Sequence, residues 1–74
     1  MTITISQQNK KISIEFCRGM VVDRFIIAKS DEFLECVDKL KLSAENWKNA
    51  RLEFKNTGLL TERIIRVIIL GLSF

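Results

Sequence analysis

Seventy-four residues allow one domain (1–74), and a composition of 47% apolar and 28% charged residues is globular rather than disordered. A chain this short buries only about 60% of its unfolded surface, so its high apolar content points to surface that another chain covers. The formal net charge of +3 is scattered along the chain with acids interleaved, unlike the concentrated basic stripe that phosphate binding needs.

Thr2–Ser6 and Lys11–Cys17 alternate with period two, β-branched or aromatic residues on one face and polar residues on the other. The polar turn Gln7–Lys10 joins them, which reads as a β-hairpin. After Arg18-Gly19, residues Met20–Lys29 form a third strand. Val21, Val22, Phe25, Ile26 and Ile27 make it apolar on both faces, so a central or doubly covered position is expected. Asp23-Arg24 within it is open between a cross-strand ion pair and a solvent-facing step.

Ser30-Asp31-Glu32 looks like a helix start, with Ser30 as cap and two acids at the positive end of the dipole. Phe33, Leu34, Val37 and Leu40 then recur at helical spacing. Ser43–Trp47 is a second short turn or helical extension, with Trp47 as a lid over the core. Asn49–Lys55 alternates again and forms a fourth strand, with Ala50, Leu52 and Phe54 on one face. Asn56-Thr57-Gly58 is turn chemistry. Thr61 caps a last helix, Glu62–Phe74, whose polar residues Glu62, Arg66 and Ser73 make only a narrow stripe. A helix apolar nearly all round is covered on several sides, and one small sheet does not supply that cover.

The expected fold class is therefore α/β (α+β-like). A three-stranded antiparallel meander is followed by a helix, a fourth strand parallel to a neighbour, and a helix, in the order β-β-β-α-β-α.

The chain has no His and no Tyr, and no phosphate-cradling, dinucleotide or nucleophile-elbow motif. Asp31, Glu32, Glu35 and Asp38 read as a solvated, dipole-favoured face rather than a metal or acid–base set. Cys17 lacks a His to activate it, and two Cys without His make a poor zinc set. No enzyme activity, cofactor or metal is expected. Without a charged region followed by an apolar core at the N-terminus, a reduced, cytoplasmic chain with free Cys17 and Cys36 is expected. The longest apolar run, Val67–Leu70, is far short of the roughly 20 residues that span a bilayer. The last helix also lacks the charged face of a surface-lying one, so no membrane role is expected.

The segment from Asn56 onward resembles a family, that of the non-catalytic partner subunit TsaB of bacterial tRNA threonylcarbamoyladenosine synthesis. That family carries a loop and helix like G-P-G-S-F-T-G-L-R-I-G-x-x-x-A-x-G-L-A-F. Arg63, Ile64, Gly71, Leu72 and Phe74 match it without gaps, and Thr61 with a one-residue shift. Upstream, Asp31–Leu34 with Asp38-Lys39-Leu40 is similar to the family's first helix. The resemblance implies half of an actin-like, ribonuclease-H-like lobe. It also implies a bacterial interaction protein without nucleotide chemistry, whose two helices pack against those of a catalytic subunit or a second copy.

The expected function is thus a non-catalytic interaction module. Its expected interface comprises Phe33, Val37 and Leu40 on the first helix and Ile64, Ile65, Val67, Ile68, Leu72 and Phe74 on the last. One alternative is a stand-alone homodimeric inhibitor or mobile-element protein unrelated to tRNA modification. The other is a nucleic-acid binder using Lys10, Lys11, Arg18 and Arg24 around the hairpin, against which the scattered charge argues.

Overall fold

A computed structural model describes residues 1–73; the expected interface residue Phe74 lies outside them. The meander is present as β1 (Thr2–Gln8), β2 (Lys11–Arg18) and β3 (Val21–Ile27), each antiparallel to the one before. Asn9 and Lys10 form the first turn and both have positive φ (51° and 64°), the type I′ pattern that suits the twist of a two-residue hairpin. Gly19 supplies the positive φ of the second turn, 62°, where a side chain would be strained.

Chain order then gives a 3-10 turn at Ser30–Glu32, α1 (Phe33–Leu40), α2 (Ala44–Lys48), β4 (Arg51–Lys55) and α3 (Leu59–Leu72). Ser30 does not cap α1. The chain enters through the 3-10 turn, and Glu32 takes the cap position without a side-chain bond to it. Asn46 Oδ1 accepts from both the Ser43 backbone N–H (3.3 Å) and the Ser43 hydroxyl (2.8 Å), which fixes the entry to α2. The last helix begins at Leu59, with Gly58 as its cap, rather than at Thr61. Thr61 lies inside the first turn and is buried.

The sheet order is β3-β2-β1-β4. The fourth strand is parallel to β1, with Ile3 opposite Leu52 and Ile5 opposite Phe54. This makes β3 an edge strand and corrects its expected central position. Its second apolar face, Val22 and Ile26, is exposed on the open side of the sheet. Strand alternation shows which residues share a face, but an exposed Val looks no different in sequence from a covered one.

All three helices pack on one face of the sheet. Ile3 and Ile5 of β1 and Ile12, Ile14 and Phe16 of β2 point into them. Phe16 is the hub: its ring lies 5.8 Å from Phe25, 5.9 Å from Phe33 and 6.0 Å from Trp47. Trp47, at 2% exposure, is the expected lid over the core. Outside Val22, Ile26 and Cys17 the opposite face is polar, with rows such as Glu53, Thr4, Glu15 and Arg24 across the four strands. An antiparallel sheet with one face on helices and one in water needs this alternation.

Candidate interaction surface

The last helix gives the molecule its most unusual surface. Thr61, Ile65 and Ile69 are buried, with Ile64, Ile68 and Leu72 half-buried beside them. Glu62 and Arg66 lie on the flank of the helix toward β4, Arg66 with its side chain still 55% exposed. They pair at 3.0 Å, and the Arg66 guanidinium lies 4.9 Å from the centre of the Phe54 ring on β4. Cation–π stacking therefore uses the helix's polar stripe to seal its flank against the sheet edge.

With the polar stripe on the flank, the outward face is left apolar. Leu60 is 71% exposed, Val67 68% and Leu70 61%. With Arg63, Ile64 and Gly71 they recur at three- and four-residue intervals, the spacing of one helix face. Arg63 is the only charge among them and makes no ion pair with the described residues. Arg63, Ile64, Val67 and Ile68 line a shallow, apolar depression of about 260 Å³. Gly71 faces open space, with nothing within 4 Å of where a Cβ would stand.

This geometry divides the expected interface. Phe33 and Ile65 are 0% exposed and Val37 6%; all three belong to the core of the chain itself and are not available to a partner. Leu40, Ile68 and Leu72 are partly buried against that core. Ile64 and Val67 lie on the accessible face. Leu59, Leu60 and Leu70 were not foreseen as part of it, although the all-round apolar pattern of the helix already contained the signal.

The four basic residues considered for nucleic acid do not come together. Lys10 and Lys11 sit at one end of β2 and Arg18 at the other, seven residue steps or about 23 Å away. Arg18 pairs with Asp23 at 2.9 Å, and Arg24 with Glu15 at 3.1 Å. These are cross-strand pairs, which resolves the Asp23-Arg24 alternatives. Arg18 lies on the helix side of the sheet and Arg24 on the open side.

The acidic residues of the first helix fare no better as a site. Asp31, Glu35 and Asp38 are exposed, and Glu32 accepts from the Ala28 N–H at 3.4 Å. Among the described residues no three His, Cys, Asp or Glu side chains converge as a metal set.

The two cysteines are free and lie on opposite sides of the sheet, Cys36 in the core and Cys17 on the open face. They do not approach each other across it. Desolvation raises the Cys17 thiol above its ordinary value, helped by its hydrogen bond to Glu15 at 3.6 Å and by that carboxylate's charge. Desolvation likewise raises Cys36. Neither is an activated nucleophile, since the thiolate is the reactive form. A chromogenic disulfide reagent should therefore label Cys17 slowly in the native protein, and Cys36 only after denaturant is added. Rapid native labelling of both would contradict the placement of Cys36. Because unfolded thiols ionise first, stability should also fall as pH rises above the ordinary thiol range.

Among the described residues no helix is long and apolar enough to cross a membrane. Comparison of the sequence with protein-family models, with curated proteins and with solved structures finds no match.

Proposed function

We propose that this chain is a non-catalytic protein-interaction module that works through the outward face of α3. The observation that carries this reading is the contiguous exposure of Leu60, Val67 and Leu70 around a single charge, Arg63. Scattered exposed Leu residues are ordinary, whereas a continuous apolar stripe along a helix marks an association surface. Covering it would recover about 25 cal/mol for each Å² of apolar surface removed from water.

The finer version of this proposal makes the chain a shortened, cytoplasmic relative of the partner subunit of tRNA threonylcarbamoyladenosine synthesis. Three of the residues that carry the resemblance, Arg63, Ile64 and Gly71, fall on the outward face. Apart from the short α2, the element order is also the β-β-β-α-β-α order that the resemblance implies, which supports the same reading.

The test is a photo-crosslinking amino acid placed at Val67 in cells expressing the chain, with Ser13 on the open sheet face as control. A discrete protein adduct should form from Val67 and not from Ser13. An adduct containing the catalytic subunit of threonylcarbamoyladenosine synthesis would support the finer version. No adduct at Val67 would overturn the interaction reading.

A further inference from the structure

We infer that β3 is a docking edge that takes the β3 of a second copy of this chain, antiparallel about Arg24, so that two four-stranded sheets join into one of eight strands. This surface is separate from the outward face of α3 and does not depend on what that face binds.

The two edges of the sheet differ. β4 is five residues long, and three of them, Arg51, Glu53 and Lys55, are charged, which discourages a further strand. β3 is seven residues long, carries no Lys or Pro, and pairs with β2 one residue for one, without a bulge. Its outward backbone N–H and C=O groups have no partner among the described residues. Its side chains do not guard it either. Val21, Val22 and Ile26 are exposed, while Asp23 and Arg24 are drawn back to Arg18 and Glu15 of β2. A long, regular, apolar edge is a template for another strand.

The occupant follows from the register. A twofold axis perpendicular to the sheet keeps the helices of both copies on one face. Through Arg24 it sets residue i against residue 48 − i of the second copy, the one register that uses all of Val21–Ile27. On the open face Val22 then meets Ile26 of the second copy. On the helix side Val21 meets Ile27 and Phe25 meets Asp23.

The last of these pairs is where charge selects the register. The Lys39 ammonium of α1 lies 6.0 Å from the centre of the Phe25 ring and has no ion pair among the described residues. Asp23 of the second copy, directly opposite Phe25, comes within its reach, and the pair forms twice by symmetry. Moving the axis to Asp23 or to Phe25 sets Phe25 against Val21 or against itself, and Lys39 then faces no carboxylate. The two Arg24 side chains meet at the axis, each already paired with its own Glu15 at 3.1 Å.

Full pairing forms about six to eight backbone hydrogen bonds. The contact is about 24 Å long and one sheet deep, well under the ~800 Å² per partner of a standard stable interface. The dimer should therefore be concentration-dependent.

Sedimentation equilibrium on the reduced, purified chain, from micromolar to millimolar, tests the proposal. The wild type should pass from monomer to dimer. Ile26→Lys, which guards the edge, should stay monomeric with unchanged circular dichroism. Lys39→Gln should weaken association about 2- to 30-fold, because two ion pairs are lost, and Val67→Asp should dimerise as the wild type does. Single substitutions Val22→Cys, Arg24→Cys and Ile26→Cys in a Cys17→Ser background report the register. Under mild oxidation only Arg24→Cys should give a covalent dimer, since position 24 alone faces itself across the axis within disulfide reach. Cross-linking through 22 or 26 in its place would overturn the register. A wild type that stays monomeric, or a photo-crosslinker at Ile26 that captures only a different chain, would overturn the second copy as occupant. A dimer lost in Val67→Asp and kept in Ile26→Lys would overturn β3 as the docking edge and move the contact to α3.

Discussion

Phe16→Ala should destabilise the fold by about 3–5 kcal/mol, the cost of emptying a fully buried aromatic site. The ring is 0% exposed. Its ring also lies about 6 Å from three other aromatic rings: Phe25 on the neighbouring strand, Phe33 on α1 and Trp47 on α2. Edge-to-face pairs contribute about 0.5–1.5 kcal/mol each beyond the area they bury, so the loss belongs at the upper end of the range. A 74-residue domain has a total stability of only about 4–11 kcal/mol. The variant should thus melt at least about 12 °C lower, and in the weaker part of that range it should be unfolded at room temperature. Urea denaturation followed by circular dichroism measures this. A loss under about 1 kcal/mol would mean that the helices do not close over Phe16 as described.

Much of this core was legible in the sequence, for a specific reason. Along β1, β2 and β4 the apolar residues alternate with Thr, Ser, Lys and Glu, so only one face of each strand can be buried. Ile3, Ile5, Ile12, Ile14 and Phe16 followed directly, as did the inward side of Leu52 and Phe54. Where both faces carry apolar residues the argument has no purchase, and β3 shows the result. Val22 and Ile26 suggest a covered strand, yet they line the open face at the sheet edge.

The start of α3 was obscured differently. Thr61 is a good cap by type, but Leu59 and Leu60 extend the helix before it, and Gly58 takes the cap. A preferred cap residue is a statement about ends, and it loses to a chain that can make one more helical turn upstream. The same helix hides the candidate surface. Its core and outward residues are all Ile, Leu or Val, so composition does not set its phase. That phase is set by which of these residues the core accepts, Ile65 and Ile69, and Arg66 stacking on Phe54 across the chain fits it, a tertiary contact with no local sequence signature.

A pair of substitutions two residues apart tests that phase. Ile65→Asp should unfold the chain and Val67→Asp should leave it folded. Ile65 is 0% exposed and packs in the main core, whereas Val67 is 68% exposed. An ionised carboxylate without a partner in an apolar interior is among the costliest single changes, on the order of 4 kcal/mol or more. The same group on the outward face stays hydrated, and its cost to the monomer should stay within about 0.5 kcal/mol. The Ile65→Asp variant should also recover some structure as pH falls. Burial would raise the pKa of the new carboxyl in the folded state, so its penalty is full above that raised value and fades as protonation neutralises it. Circular dichroism at neutral and mildly acidic pH reads both effects. Equal tolerance at the two positions would mean that α3 is rotated from the orientation described, and the interaction surface would fall with it. Unfolding at 65 alone fixes the inward face on Ile65 and Ile69 and leaves Val67, Leu70 and Leu60 to a partner.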